Sequence, residues 1–374
     1  MNFQTNWASP PGATISRLMA LREIPRDELA DGLVLTLEQF DELIAGQLRI
    51  TETLAVALAD HLGASPRLWL TRDKTYLRDL GRIGEARSRD VNSWSKTMPV
   101  ASMRRYGWLS KESRGNALAD ELLRFFGCSN LKDWGIRYSN GVGAVAFKTS
   151  LAFEADAMAT LVWLRAGEQQ ADELPLPKFD RTAFVNQLPA LKKLSAFKHP
   201  KIYFVKLQAA CQAVGVALTS ARAPEGCRAS GASWLNARGN PVIHLSFRHL
   251  SEDHVWFAFF HEAAHIVFHG ESHIDVDLTD PTLFGSVEQE KEADEFAQET
   301  LVPREILSGL MQGPITARAV MSAARQANVT AGIIVGQLQK AKIIPHGKLP
   351  FLKHRYRWSV DSSIPELSQP RKYS

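Results

Sequence analysis

Two histidines at helical spacing are the residues of this chain best suited to chemistry. The segment 252–270 reads EDHVWFAFFHEAAHIVFHG, and it contains the HExxH motif His261-Glu262-Ala263-Ala264-His265. On an α-helix the i, i+4 spacing places His261 and His265 on one face, one above the other. Two imidazoles in that arrangement can bind one Zn²⁺ ion.

The residues around the motif predict that its helix is buried. Apolar side chains such as Val255, Phe259 and Phe268 occupy most of the remaining positions of the segment, and a helix that is apolar all round belongs to a protein interior. Two histidines and a carboxylate placed there would each cost about 1 to 3 kcal/mol if left without hydrogen bonds. A bound metal and its water remove that cost. The alternative is a core helix whose histidines bond to other groups of the protein.

Zinc needs a third protein ligand and, in a catalytic site, an open position for water. His269 lies two turns beyond His261, roughly 12 Å along a straight helix, which is too far to share one ion. The acidic run 288–297 is a better source, because it has helical spacing and follows a loop that can turn the chain back. Its Glu288 and Glu292 share a helix face, so spacing alone does not separate them. The alternative for this run is a solvated charged helix.

The segments HEAAHIVFHG and EKEADEFAQETLVP resemble the ImmA/IrrE metallopeptidases, whose pattern is HExxH, a loop, and a helix with Glu-Ala-Asn/Asp-x-Phe-Ala that ends near a proline. The resemblance covers approximately residues 206–358, including GIIVGQL at 332–338. It implies a zincin-like fold in which His261, His265 and Glu292 bind zinc. It also implies that Glu262 is the general base of a zinc metalloendopeptidase.

Composition predicts a globular protein without membrane contact. The chain has 374 residues, 45% hydrophobic and 22% charged, and is long enough for more than one domain. It has no long uninterrupted apolar stretch, and its first residues, MNFQTNWASPPG, lack the pattern of a signal peptide. We therefore expect a cytoplasmic protein. Cys128, Cys211 and Cys227 form no CxxC pair, which predicts buried thiols rather than disulfides or a cysteine zinc site.

Residues 1–76 predict an all-α bundle. Helices are expected at 14–22, from Pro25 to Gly32, at 37–45 and from Thr51 to Gly63, and Thr36 and Gln39 form a capping box before the third. This order of helices, with the endings GQLRIT and LGASPRLWL, resembles the XRE group of helix-turn-helix domains, particularly its antitoxin-like branch. The resemblance implies that the third helix reads DNA.

The charge of that third helix argues against DNA binding. It carries Glu38, Gln39, Asp41 and Glu42 and no cation before Arg49, whereas phosphate contacts and guanine readout need cations. Residues 1–80 hold 8 basic against 11 acidic side chains, while residues 340–374 hold 8 against 2. The alternative role of the bundle is dimerisation, which would give a homodimer, or docking of a partner protein.

The whole chain is predicted to be α+β. Residues 77–200 are expected to form a linker with an irregular strap over 77–105, then a helical adaptor with helices near 114–126, 153–165 and 184–194. Residues 201–358 are expected to form the zincin-like domain, with strands at 215–218, 228–235 and 241–247 before the HExxH helix. A loop is expected at 270–287, helices at 316–328 and 331–340, and a disordered tail at 359–374.

The motif and its setting predict a zinc-dependent endopeptidase, and the family resemblance implies that it acts on a specific regulatory protein, a repressor or an antitoxin-like partner. The resemblance implies a role in stress response, mobile-element control or a toxin–antitoxin system. The alternative is a helix-turn-helix DNA-binding regulator whose zincin half docks or senses a partner without cutting it. The presence of Glu262 favours the peptidase, because a purely structural zinc site has no need of a base beside its ligands.

Overall fold

The computed structural model describes residues 8–138, 154–270, 273–276, 287–359 and 364–368. The chain forms two compact units, Met1–Ser93 and Trp94–Ser374. The finer division predicted from the sequence, with limits at residues 76, 200 and 358, stays a prediction.

The first unit is helical, as predicted. It contains α1 (Pro11–Arg22), α2 (Arg26–Gly32), α3 (Leu37–Ala45), α4 (Glu52–Leu62) and the first part of α5 (Pro66–Thr97). The capping box is present: the Gln39 N–H donates to Thr36 Oγ1 at 3.2 Å, and the Thr36 N–H donates to Gln39 Oε1 at 3.0 Å. Gly46 ends α3 with a φ of 75°, a conformation that glycine adopts without strain. Apolar side chains from each helix form the core, among them Ile15, Leu29, Phe40, Leu58 and Trp69.

Helix α5 shows that the irregular strap predicted over 77–105 is wrong. The helix spans 32 residues, and α6 (Val100–Arg105) follows it closely. No proline lies between Pro66 and Pro99, so nothing interrupts the helical hydrogen bonds, and the glycines at 81 and 84 weaken the helix without ending it. The segment is mainly polar, and that composition hides its helical period.

The second unit begins with a group of helices. These are α7 (Gly115–Phe126), α8 (Leu131–Tyr138), α9 (Glu154–Glu173), α10 (Arg181–Lys193) and α11 (Pro200–Ala213). The three helices predicted in this region are confirmed, although α9 continues to Glu173 instead of ending near 165. Side chains of α7 and α9, including Phe126 and Trp163, form a core with one face of the following sheet.

Four short strands form that sheet. They are β1 (Ala217–Ser220), β2 (Ala229–Leu235), β3 (Pro241–Leu245) and β4 (His273–Val276), in the order β1-β3-β2-β4. β1 is parallel to β3, and β2 is antiparallel to both β3 and β4. The three predicted strands are confirmed, while β4 lies in the connection that was predicted to be a loop.

The alternation of side chains along β2 decides which residues reach the HExxH helix. Ala232 and Trp234 belong to the core shared with α9. Since neighbouring residues of a strand point to opposite faces, Gly231 and Ser233 face the other way. That other face is covered by the helix α12 (Glu252–Ala264), which carries the motif and continues into a π-helical turn, His265–His269.

The rest of the unit shares a hydrophobic core with α12. It contains α13 (Val287–Leu301), α14 (Arg304–Met311), α15 (Ala317–Ala327) and α16 (Ala331–Lys340), then β5 (Tyr356–Arg357) paired with β6 (Glu366–Leu367). The predicted disordered tail therefore includes a strand. The mainly helical chain with two small sheets agrees with the predicted α+β class.

No helix in the described ranges has both the length and the apolarity needed to cross a membrane. The three cysteines all lie in the described ranges, where they are buried and form no disulfide.

Candidate metal centre

The N-terminus of α12 is fixed by hydrogen bonds and an ion pair with a later segment of the chain. Glu252, which is buried, accepts a hydrogen bond from the His354 backbone N–H at 2.9 Å, and its other oxygen lies 2.6 Å from His354 Nδ1. Asp253 lies 2.6 Å from Lys353 Nζ, and both side chains are more than nine-tenths buried. These contacts satisfy two carboxylates that would otherwise be buried at a high cost.

Two glycines of α16 make room for those carboxylates. A Cβ on Gly332 would lie 1.9 Å from Glu252 Oε1, and a Cβ on Gly336 would lie 2.5 Å from Asp253 Oδ2. Both distances are far below van der Waals contact, so no larger residue fits without movement. This close approach explains the glycines at positions 332 and 336, and it sets α16 against the helix that carries the motif.

The structure brings His261, His265 and Glu290 together. The two Nε2 atoms of the histidines lie 3.1 Å apart, and Glu290 places a carboxylate oxygen 3.4 Å from His261 Nε2 and another 3.7 Å from His265 Nε2. Ligands of a tetrahedral zinc ion at about 2.0 to 2.1 Å lie about 3.3 Å from one another. The spacing and the chemistry of this set therefore fit a zinc ion, and among the described residues these three form a group that could hold a metal.

The assignment of the third ligand to Glu292 is not supported by this geometry. Glu292 Oε2 lies 3.1 Å from His269 Nε2 and is more than half exposed. The reason lies in the faces of α13: Ala293 and Ala297 are buried against α12, and the residue one turn before Ala293 on that face is Glu290. Glu288, the alternative ligand, belongs to the opposite, exposed face with Glu292.

A carboxylate and a lysine lie behind His261. The His261 Nδ1 atom is 3.1 Å from Asp294 Oδ1, and Lys340 Nζ is 2.9 Å from the other oxygen of Asp294. Burial raises the pKa of Asp294, but the hydrogen bond from His261 and the charge of Lys340 outweigh it, so the pKa lies below its usual value. An ionised Asp294 accepts the Nδ1 proton and leaves Nε2 of His261 as the atom available to a metal.

His265 has a different outer partner. Its Nδ1 atom lies 3.0 Å from Nδ1 of His269, whose Nε2 atom faces Glu292. The π-helical turn produces this contact: the Gly270 N–H donates to the His265 carbonyl at 2.9 Å, which widens the last turn of the helix. As expected from the axial distance, His269 is not part of the cluster that could hold a metal, and it contacts His265 instead.

Glu262 is fully buried between the two histidines and the sheet. Ser233 of β2 donates its hydroxyl hydrogen bond to Glu262 Oε2 at 2.7 Å. Gly231, on the same face of β2, lies so near that a Cβ there would be 2.8 Å from Glu262 Oε1. The strand therefore fixes the position of the carboxylate from two sides. The predicted burial of this part of α12 is confirmed, with His261 3% and His265 2% exposed.

Sequence reasoning missed Glu290, Asp294 and Ser233. The small residues Ala293 and Ala297 mark the buried face of α13 and could have pointed to the first two. Ser233 alternates with Ala232 and Trp234 along a predicted strand, but no local pattern connects it with a helix later in the chain.

Comparison with known proteins agrees with the peptidase resemblance in part. The family model Peptidase M78, described as an IrrE N-terminal-like domain, matches residues 222–336. No curated protein and no solved structure matches the chain. The matched segment contains β2, β3, α12 and α13, and hence every residue of the candidate metal centre except Lys340. It supports a metallopeptidase-like domain of the ImmA/IrrE type in this part of the chain.

Proposed function

We propose that the protein is a cytoplasmic zinc-dependent endopeptidase that acts on a specific regulatory protein, a repressor or an antitoxin-like partner. The observation that carries the proposal is the buried cluster of His261, His265 and Glu290 with Glu262 beside it. The match of residues 222–336 to a metallopeptidase family supports the same reading.

His261, His265 and Glu290 would hold the metal. Zinc bound to such a set supplies Lewis acidity towards a carbonyl group and lowers the pKa of water. Asp294 and His269 keep the Nδ1 atoms of the two histidines occupied, so that their Nε2 atoms stay directed to the same point.

Glu262 would carry the proton. It follows His261 directly in the helix, and its carboxylate is held by the Ser233 hydroxyl. Water would attack the scissile carbonyl carbon and give a proton to Glu262, which passes it to the amine as the peptide C–N bond breaks. Burial excludes bulk water from this carboxylate and keeps its geometry fixed.

Strand β4 is a candidate binding surface for an extended substrate. It lies at one edge of the described sheet and follows the metal-binding helix in the chain. An extended peptide that adds to this edge gains backbone hydrogen bonds, while side-chain pockets select the sequence. Such a mode suits a protein substrate with one accessible segment.

A DNA-binding regulator is the alternative function, and it would use the first unit as a helix-turn-helix domain. The exposed side of α3 presents Glu38, Asp41 and Glu42, and Asp41 pairs with Arg26 of α2. Such a surface repels phosphate, which favours the peptidase. A mobility-shift assay with the full chain at low salt tests the alternative: salt-sensitive binding to a specific site would support it.

Glu262→Gln tests the peptidase proposal. The amide keeps the size of the side chain but takes up no proton, so we expect unchanged zinc content and loss of cleavage. Profiling of new protein N-termini in cells that produce the wild type or the variant would identify the cleaved partner. The control is Glu295→Gln on the exposed face of α13, which should behave like the wild type. Equal profiles for the wild type and the Glu262 variant would refute the proposal.

A further inference from the structure

Lys340 lies outside the segment that matches the metallopeptidase family, yet it reaches the metal centre. It is the last residue of α16, and its Nζ atom lies 2.9 Å from Asp294 Oδ2. The same atom lies 3.7 Å from the centroid of the Phe257 ring. Phe257 in turn packs against the ring of His261, with 5.9 Å between the centroids.

Lys340 thus contacts both Asp294 and Phe257, two side chains that lie against the His261 ring. Asp294 accepts the hydrogen bond from Nδ1 at 3.1 Å, and the Phe257 ring lies beside the imidazole. An Asp294 carboxylate without Lys340 could rotate about its side-chain torsions and lose the Nδ1 contact. With Lys340 on its second oxygen, the carboxylate is held from both ends.

We propose that Lys340 is a positioning residue of the metal centre, which acts through Asp294 to hold the His261 ring with Nε2 directed towards the metal. The inference rests on the proposed function, because that function requires a bound metal. It assigns to α16 a part in metal binding in addition to its packing against α12.

The support of His265 is different in kind. His265 contacts His269, which in turn contacts Glu292, and the Glu292 side chain is 56% exposed. Behind His261, by contrast, the Asp294 and Lys340 side chains are 37% and 46% exposed. Water and salt screen the more exposed carboxylate more strongly. The contact between Lys340 and Asp294 is therefore expected to contribute more to metal affinity than the contact between Glu292 and His269 does.

The test is the zinc dissociation constant of the full chain, measured by competition with a chromophoric chelator. Lys340→Met should raise it about three- to fivefold, the range expected when a partly exposed ion pair is lost. Lys340→Arg, which keeps the charge, should stay within about twofold of the wild type. Lys291→Met is the matched control, because Lys291 lies on the exposed face of α13, and it should have no effect.

A double-mutant cycle identifies the route of the effect. Asp294→Asn should raise the dissociation constant by about tenfold or more, and adding Lys340→Met should then change it little, because the two residues act as one unit. An effect of Lys340→Met that persists in the Asp294→Asn background would overturn the inference, since Lys340 would then act through Phe257 or the fold.

Equal affinities for the Lys340 and Lys291 variants would also overturn the inference while leaving the proposed function intact. A wild-type protein that binds no zinc would refute the proposed function itself, and the inference with it. Thermal unfolding of the metal-free proteins shows whether each variant is folded. Should Lys340→Met not fold, Lys340→Gln provides the same comparison.

Discussion

Glu290 Oε2 lies 3.4 Å from His261 Nε2, although the two residues belong to different helices that are separated by a long connection. The contact exists because the small side chains of Ala293 and Ala297 let α13 pack closely against α12. The two histidines of the HExxH motif offer two possible metal ligands, and Glu290 adds a third. The carboxylates on the exposed face of the same helix are no part of that set.

Zinc affinity should distinguish Glu290 from Glu292. Glu290→Gln removes a proposed ligand, and we expect the zinc dissociation constant to rise by more than the roughly 10- to 100-fold typical of outer partners. Glu292→Gln should change it less than about threefold, because Glu292 is more than half exposed and contacts His269 rather than either histidine of the cluster. Metal analysis after dialysis against a chelator measures both. The reverse order of effects would return the ligand role to Glu292.

Loss of the Ser233 hydroxyl should disturb Glu262. Ser233→Ala removes a buried hydrogen bond of 2.7 Å, and we expect the free energy of unfolding to fall by about 1 to 2 kcal/mol. Urea denaturation measures the change. Ser195→Ala is the control, because the buried Ser195 hydroxyl has no hydrogen-bond partner within the described ranges, and its removal should be nearly neutral. Equal losses for the two variants would contradict the role given to Ser233.

Removal of Lys353 should strongly destabilise the second unit. Burial raises the pKa of Asp253, but the charges of His254 and Lys353 outweigh it and hold the pKa below its usual value. Lys353→Met leaves this buried carboxylate without its closest cation, which costs about 3 to 5 kcal/mol. The double variant with Asp253→Asn should recover much of that loss, since no buried charge remains. Chemical denaturation tests both, and no recovery in the double variant would show that packing, not charge, explains the loss.

His244 should make the protein less stable in mild acid. It lies on β3, fully buried against α9, and burial lowers its pKa to about 3, against about 6.5 in an unfolded chain. Below the unfolded pKa the unfolded chain binds a proton that the folded protein does not. The stability is therefore complete above that value and falls by about 1.4 kcal/mol per pH unit as the pH drops towards the folded pKa.

The effect of His244 can be isolated with a variant that does not titrate. His244→Gln loses packing against Trp163 and is expected to be less stable at neutral pH. Between pH 6.5 and pH 5, however, the wild type should lose about 1.6 kcal/mol more than the variant does. Urea unfolding with excess chelator at both pH values keeps metal binding out of the comparison. Parallel pH dependences would contradict the prediction.

Local patterns in the sequence were sufficient for much of the fold. The capping box at Thr36 and Gln39, the three strands before the motif and the buried HExxH helix each depend on residues near one another in the chain, and all are confirmed. The prediction for the segment 77–97 was wrong because its polar composition hides a helix that no proline interrupts. Strand β4 was not predicted because a four-residue strand is identified by its pairing with β2 rather than by its own residues.

By itself, the sequence determined the two histidines, the carboxylate between them and the burial of their helix, because helical spacing and apolar composition are local properties. Only the tertiary structure decided which acidic residue faces the histidines and which residues support them. Helical periodicity divides α13 into two acidic faces, but it does not say which face meets α12. Glu290, Asp294, Lys340 and Ser233 reach the site through packing between elements far apart in the chain, and that packing is a property of the whole unit.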